Sequence, residues 1–343
     1  VNNLVDGNPP NGESAHSLPL VSVIIPAFNE EDCVDELAAR LQRVSAVLGS
    51  KYEFEFIITE NGSADATYGK LRAIRAEDPR FKIIRFSRNF GIEPAISAGL
   101  SNARGSAAII MCADLQDPPE LIPEFIEKWE QGFQNVYGIV SRRTDESWLR
   151  QQLTRGYYWL LNRATGSAVP RNVSDFRLID KKLYEILNSM PERRRMLRTM
   201  WPWLGFKSVG IKYVRPARFG GKSTYQLAKN ILFGLRGIAS ATAWPLGLIP
   251  VVGTALAGLA FLMLAGFSLR WVTKGVPFNG FGTIVAVILL MFGLLFLFLG
   301  IMAEYISIIY EEVRGRPLYV TSEEIGFLST PEPNLSADAK ERT

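Results

Sequence analysis

The chain has 343 residues, room for one or two domains, and its net charge of +4 is too modest for a nucleic-acid binder and argues against an acidic tail, while leaving a basic face available to anionic lipid. Its two cysteines, Cys33 and Cys112, exclude a disulfide framework and a Cys-type zinc site. Its single histidine, His16, lies in a polar leader, which excludes a Ser-His-Asp or His-metal mechanism.

In chain order, residues 1–18 are rich in Asn, Gly, Pro and Ser and read as a disordered leader without the apolar core of a secretory signal. Val21–Ile25 reads as a buried strand. Asn29 follows as the N-cap of a helix to Leu48, with Glu30 and Glu31 suited to its positive end. Tyr52–Thr59 is the second strand, Glu60–Asp65 a polar turn, and a helix runs from there to Glu77. Phe81–Phe86 is the third strand. Ser87–Glu93 is a loop, and Pro94 opens a helix to Arg104. Ala107–Met111 is the fourth strand, Glu120–Gln131 a helix, and Asn135–Val140 the fifth strand. This alternation with short polar loops predicts an α/β doubly wound parallel sheet covered on both faces.

The polar clusters Asn29/Glu30, Glu60/Asn61/Asp65, Arg88/Asn89 and Asp114/Gln116 each follow a strand, so all are predicted on one edge of the sheet, where such folds bind ligands. A nucleotide-type site is expected there. GxGxxG and Walker patterns are absent, so a diphosphate would need a cation instead. Asp114 and Gln116 alternate after an apolar strand. In extended backbone they would point the same way, as hard oxygen ligands for Mg²⁺ or Mn²⁺ held together with substrate phosphates. The bland reading of the same residues is a polar loop in which Asp117 caps the next helix.

Residues 147–166 place Trp148, Leu149, Leu153, Tyr157, Leu160, Leu161 and Ala164 at roughly helical spacing among arginines. This helix suits either a membrane interface or packing on its own domain. Ser174–Asp180 and Phe206–Val214 read as further strands. Arg193, Arg194, Arg195 and Arg198 between them form a cationic run, either a solvated helix face or a phosphate site. Gly237–Leu269 and Gly275–Ala303 contain no charged residue, and each exceeds the roughly 20 residues a helix needs to cross a hydrocarbon core. Two transmembrane helices are expected, at about 246–269 and 281–303. Lys222, Lys229 and Arg236 precede the pair and Arg314 and Arg316 follow it. That places both ends, and the α/β domain, in the cytoplasm of a multi-pass protein of the cytoplasmic (inner) membrane. The expected organisation is a leader (1–18), a catalytic domain (19–220), an amphipathic interface linker (221–240), a transmembrane pair (241–310) and a cytoplasmic tail (311–343) that is polar and mobile after Val320. Small-residue surfaces at Gly253/Ala257 and Gly293/Gly300 suit helix packing and leave a homo-oligomer open.

The motifs Val23–Glu30, Asn61-Gly62-Ser63 with Asp65, Asn89-Phe90-Gly91, Ala113–Glu120, Ser174–Arg177 and Glu311–Leu318 together resemble the inverting GT-A glycosyltransferases of family two. More narrowly they resemble the polyprenyl-phosphate glycosyltransferases, among them bactoprenol glucosyltransferases and dolichol-phosphate mannose synthase. The resemblance covers about Leu20 to Val320. It implies a Rossmann-like GT-A fold with a mostly parallel sheet and a C-terminal two-helix transmembrane region. It also implies transfer of one sugar, glucose from UDP-glucose by overall likeness, to undecaprenyl phosphate at the membrane. GDP-mannose, UDP-GlcNAc and UDP-aminoarabinose are the alternative donor types.

The same resemblance assigns Pro26, Phe28, Glu30, Glu60 and Asn61 to the donor's base and ribose, and Asp114 and Gln116 to Mg²⁺ or Mn²⁺ on its diphosphate. Arg218, Lys222 and Ser223 match a loop that closes over the diphosphate, and Arg142, Arg143 and Arg177 would receive the lipid phosphate. Asp175 is a candidate for orienting acceptor or donor, or a structural strand-edge acid; with Asp114 and Arg142 it completes the expected catalytic set. Two departures stand out. Cys112 replaces the first acid of the usual Asp-x-Asp, and Glu60-Asn61 replaces Asp-Asp. A processive synthase should carry Gln-x-x-Arg-Trp, whereas Gln152–Gly156 lacks the tryptophan. Cys112 also motivates the other alternative, a catalytically inactive donor-binding membrane scaffold.

Overall fold

The computed structural model describes residues 18–141, 172–193, 195–216, 244–274 and 281–327. The predicted leader (apart from Leu18), the 147–166 helix, the 221–240 linker and the tail beyond residue 327 lie outside the described residues.

Among the described residues eight strands form one sheet: β1 (Leu20–Ala27), β2 (Glu53–Glu60), β3 (Phe81–Phe86), β4 (Ala107–Ile110), β5 (Asn135–Val140), β6 (Val173–Asp180), β7 (Ser208–Tyr213) and β8 (Thr321–Ile325). Their spatial order is β7-β5-β6-β4-β1-β2-β3-β8. The pairs β1–β2, β2–β3, β1–β4 and β5–β7 are parallel, while β4–β6, β5–β6 and β3–β8 are antiparallel. The sheet is therefore mostly parallel, as the family resemblance implies; the strand–helix alternation alone does not announce the antiparallel β6 and β8. Reversal of β6 brings its first residues to the edge where β1, β2, β4, β5 and β7 end.

Central strands are buried on both sides, which is why they read as continuous apolar runs. Alternate residues of β1 enter different cores. Val21, Val23 and Ile25 pack with α1 (Val34–Leu48), α2 (Thr67–Glu77) and α4 (Ile122–Glu130). Ile24 packs on the other face with Ile57, Ile84 and Ile110 beneath α3 (Ile92–Ser101), α5 (Lys181–Ser189) and α6 (Leu197–Trp203). The buried residues of α1 (Val34, Leu37, Ala38, Leu41) follow the three-and-four spacing of an amphipathic helix. Asp180 caps α5 by accepting from the Lys182 amide at 3.0 Å.

Two predicted details change. Asn29 does not cap α1: it sits in left-handed backbone at φ 54°, and Cys33 occupies the cap position without a side-chain hydrogen bond. The start of the tail is ordered as β8, antiparallel to β3 with Thr321 opposite Phe86 and Ile325 opposite Ile83. Its exposed Ser322, Glu323 and Glu324 conceal the strand from apolar-pattern reasoning, because an edge strand is held through its backbone.

Two long helices precede β8: α7 (Trp244–Lys274) and α8 (Phe281–Arg314). Within α8, Leu290–Arg314 is long and apolar enough to cross a membrane, and its side chains are not buried inside the protein. The end of α8 touches the sheet domain. The Arg193 amide donates to both carboxylate oxygens of Glu312 at 2.9 and 3.1 Å, and Arg193 Nη1 donates to the Arg316 carbonyl. Tyr319 then stacks on Phe86 with ring centroids 4.8 Å apart. Because β8 starts opposite the end of β3, the chain leaving α8 arrives at the same edge as the strand-end loops.

Candidate active site

That edge is built by reciprocal side-chain-to-backbone bonds between loops distant in sequence. The Asn29 amide donates to Ser63 Oγ at 3.0 Å, and Asn29 Oδ1 accepts from the Ala64 amide at 3.0 Å. The Glu30 amide donates to Thr67 Oγ1 at 2.9 Å. Asp65 accepts from the amides of Glu31 (3.3 Å) and Thr67 (3.1 Å), while Glu31 accepts from the Ala66 amide at 2.9 Å. Burial pushes the Asp65 carboxyl up, but the Thr67 hydroxyl and these amides outweigh it and hold it below the ordinary range.

Asn61 fastens a third loop. Its Nδ2 donates to the Gly91 carbonyl at 3.0 Å, and its Oδ1 accepts from the Phe90 amide at 2.9 Å. Gly62, at φ 71°, lies against the Arg88 backbone, where a Cβ would come within 2.7 Å. Asn61 is 4% exposed and Glu60 is 0% exposed, with Glu60 accepting from the Ser63 amide and from Arg85 Nε at 3.2 Å. The structure thus gives Glu60 and Asn61 the work of holding loops together. Of the residues expected on the base and ribose, Phe28 is exposed and Pro26 and Glu30 are half-buried at the rim.

Beyond β4 the backbone does not stay extended, as the alternation of Asp114 and Gln116 predicts. Leu115 is left-handed at φ 58°, and Asp114 Oδ1 accepts from the Gln116 amide at 3.1 Å, closing an Asx turn. Asp117 does not cap the following helix. It is entirely buried, accepting from the Cys112 amide (3.2 Å), Ser174 Oγ (3.1 Å) and Tyr213 OH (2.9 Å), with Arg215 Nη2 at 3.9 Å. Burial raises the Asp117 carboxyl above its ordinary value, opposed by Arg215 and these donors. Burial also drives the Cys112 thiol up, and Asp117, Asp114 and Asp175 add to it, so three carboxylates act on one point of the turn.

Asp114 and Gln116 offer a carboxylate and an amide carbonyl, a donor set that suits a hard divalent cation. Among the described residues no group of three or more His, Cys, Asp or Glu could hold a metal ion, so the remaining ligands would have to be phosphate oxygens and water.

Asp175, at the start of β6, pairs through both oxygens with Arg198 Nη2 at 3.2 Å. Arg177 is 3% exposed, donates to the Ser174 carbonyl at 3.4 Å and lies 5.1 Å from the Trp201 ring centroid. Burial lowers its pKa to about 10. Its placement is that of a core cation under the edge, not of an open phosphate receptor. Glu93 accepts from the Leu197 amide at 3.3 Å; burial and then the Asp175 charge push its carboxyl up to about 7.

The edge therefore brings together Pro26, Phe28, Glu30, Glu60, Asn61, Asp114, Gln116 and Asp175, with Arg177 beneath. Arg142, Arg143, Arg218, Lys222 and Ser223 lie outside the described residues. Glu93, Tyr213 and Arg215 are not singled out by sequence reasoning. Asp117 was visible only as a helix-cap candidate; nothing local marked the others, since their partners are distant in sequence.

A strand-end edge of an α/β sheet with two oxygen donors and no glycine-rich phosphate loop suits a diphosphate held through a cation. Residues 22–187 match glycosyl transferase family 2. The chain belongs to that family, a glycosyltransferase with the GT-A fold. It is 37% identical to the uncharacterized glycosyltransferase YkcC of Bacillus subtilis, over 89% of this chain and 94% of that protein. It is 35% identical to an uncharacterized glycosyltransferase of Synechocystis sp. over 92% and 99%, and 33% identical to the bactoprenol glucosyl transferase of Shigella phage SfII over 88% and 96%. Among solved structures, a glucosyl-3-phosphoglycerate synthase of Mycobacterium tuberculosis is similar at a TM-score of 0.46 and 15% identity, covering 64% of this chain and 78% of that one.

Proposed function

We propose that the protein transfers a single glucose from UDP-glucose to undecaprenyl phosphate, with inversion, at the cytoplasmic face of a membrane crossed by α7 and α8. The observation that carries this reading is one of placement: the chain returns from two long apolar helices to the sheet edge that gathers Asp114, Gln116, Asp175 and the cross-fastened loops. A donor from water and an acceptor from lipid could both reach such an edge. Likeness to a bactoprenol glucosyl transferase over most of both chains supports the choice of acceptor and of sugar.

A phosphate monoester with a second pKa of about 6 is already an anionic nucleophile at neutral pH, so the reaction needs no strong base. The obstacle is repulsion between anionic donor and anionic acceptor. Asp114 and Gln116 would hold Mg²⁺ or Mn²⁺ against the donor's diphosphate. When bound, the ion offsets phosphate charge and stabilises the leaving nucleoside diphosphate. Arg142 and Arg143 would hold the acceptor phosphate, and Arg218, Lys222 and Ser223 would close over the donor. Asp175, fixed by Arg198, would orient the acceptor. A single displacement turns an α-linked donor sugar into a β-linked lipid phosphate sugar.

The test is incorporation of labelled sugar from UDP-glucose into organic-extractable lipid by the purified chain, with and without undecaprenyl phosphate and with Mg²⁺, Mn²⁺ or chelator. Lipid-dependent, chelator-sensitive incorporation is expected. Incorporation only from GDP-mannose, UDP-GlcNAc or another donor would replace the sugar assignment. Donor binding without any turnover would favour a scaffold, the reading that Cys112 in place of an acid motivates.

A further inference from the structure

Arg215 stands two residues beyond the end of β7, at the same edge as the Asp114 turn, because β7 is parallel to β5 and both end there. Its side chain is 26% exposed, and Nη2 lies 3.9 Å from Asp117 Oδ1, too far for a hydrogen bond. Its Nε is buried and, among the described residues, has no hydrogen-bond partner. Asp117 is meanwhile occupied by the Cys112 amide, Ser174 and Tyr213. The carboxylate thus anchors the guanidinium by charge without using up its donors.

An unpaired buried donor is costly, and more so when charged, so a guanidinium held in this state is unusual unless a ligand completes it. A planar guanidinium with open N–H groups matches a phosphate better than any other common ligand. Charge points the same way. Arg215 is a cation beside the buried Asp117 carboxylate, three residues beyond Asp114 in the same turn, while Asp175 is already paired with Arg198.

We propose that Arg215 is a phosphate-binding residue of the donor site, held in position by Asp117. The proposal rests on the reading of the site as one for a nucleoside diphosphate. Asp117 is a positioning residue: it ties the metal-binding turn, the start of β6 and Arg215 into one unit, so the cation and the proposed metal ligands share a frame.

The experiment measures binding to the full-length, detergent-solubilised chain by calorimetry, without acceptor. The probes are Mn²⁺ alone, then inorganic pyrophosphate, UDP and GDP in the presence of Mn²⁺. Arg215→Gln should weaken pyrophosphate and nucleoside diphosphate binding by about tenfold or more, while binding of Mn²⁺ alone stays within about twofold. Arg215→Lys, which keeps the charge without the fork, should fall between. Asp117→Asn should weaken pyrophosphate and also Mn²⁺, since it loosens both the cation and the turn. Unchanged pyrophosphate binding in Arg215→Gln overturns the proposal. So does a Mn²⁺ loss equal to the pyrophosphate loss, which would mean a disturbed fold. If Arg215→Gln does not fold, wild-type binding in Arg215→Lys overturns it equally. A wild-type chain that binds pyrophosphate but neither UDP nor GDP would remove the nucleotide-sugar reading and leave Arg215 as a phosphate ligand; one that binds none of these would remove both.

Discussion

Tyr68 donates its phenol hydroxyl to Glu323 across 255 positions of sequence, joining α2 to the strand that follows the two long helices. The same ring carries the Arg85 guanidinium 3.9 Å from its centroid, and Arg85 reaches Glu60, whose other oxygen accepts the Ser63 amide. A chain of contacts thus runs from β8 to the loop that Asn61 and Gly62 shape.

Deleting residues 321–343 should expose the β3 edge and break this chain of contacts. The thermal midpoint of the truncated protein should drop by several degrees, as loss of about 1–3 kcal/mol implies. Tyr68→Phe alone should cost under about 1 kcal/mol, because its bond to Glu323 is exposed. A truncated chain as stable as the full one would show that β8 does not support the sheet.

Asp114→Ala should abolish sugar transfer while leaving the thermal midpoint within a few degrees, since the Asx-turn bond that it loses lies within its own loop. Near-normal turnover in this variant, measured with saturating Mn²⁺, would contradict the metal role.

Gly62→Ala should be costly at a site where most surface glycines tolerate alanine. The backbone is left-handed, and the added methyl carbon would lie 2.7 Å from Arg88 backbone atoms. A loss of about 1–3 kcal/mol in chemical denaturation is expected, with a raised KM for donor.

Glu93 sets a pH dependence whose sign follows from its raised pKa of about 7. The folded state favours the protonated carboxyl more than the unfolded chain does, whose value is near 4.5. Stability from this group is therefore greatest below about pH 4.5 and falls as pH rises toward 7, after which the full penalty is present. Glu93→Gln should flatten the profile and raise stability at pH 8 by about 1–2 kcal/mol, because the amide oxygen can still accept from Leu197. Thermal midpoints from pH 5 to pH 8 would check this; parallel profiles for the two proteins would rule it out.

The strands that sequence reading places best are those whose neighbours in sequence announce them. Phe81–Phe86 and Asn135–Val140 are bounded by polar residues or turns on both sides, and the structure has them at those limits. Direction is not in such a pattern: nothing in Val173–Asp180 says that it runs against β4. Local dihedrals also escape it: the sequence pattern reads Asn29 as a cap and the chain through Leu115 as extended, and both residues are left-handed. The partly legible site has the same limit. Motif residues at the strand ends were visible as a set. Asp117 and Glu93 act through Tyr213 and Leu197, 96 and 104 positions away, and no short window contains both members of either pair.

The placement of β8 has a consequence for how the chain is made. Every other strand of the sheet is available once Tyr213 has been synthesised, yet the edge of β3 stays uncovered until Thr321–Ile325 emerges, after both long helices. An open β edge beside exposed apolar surface invites wrong pairing during synthesis. The growing chain therefore spends more than a hundred residues with its sheet unfinished, and β8 can seal it only after α7 and α8 have both been made. Completion of the sheet thereby comes last, after both long helices.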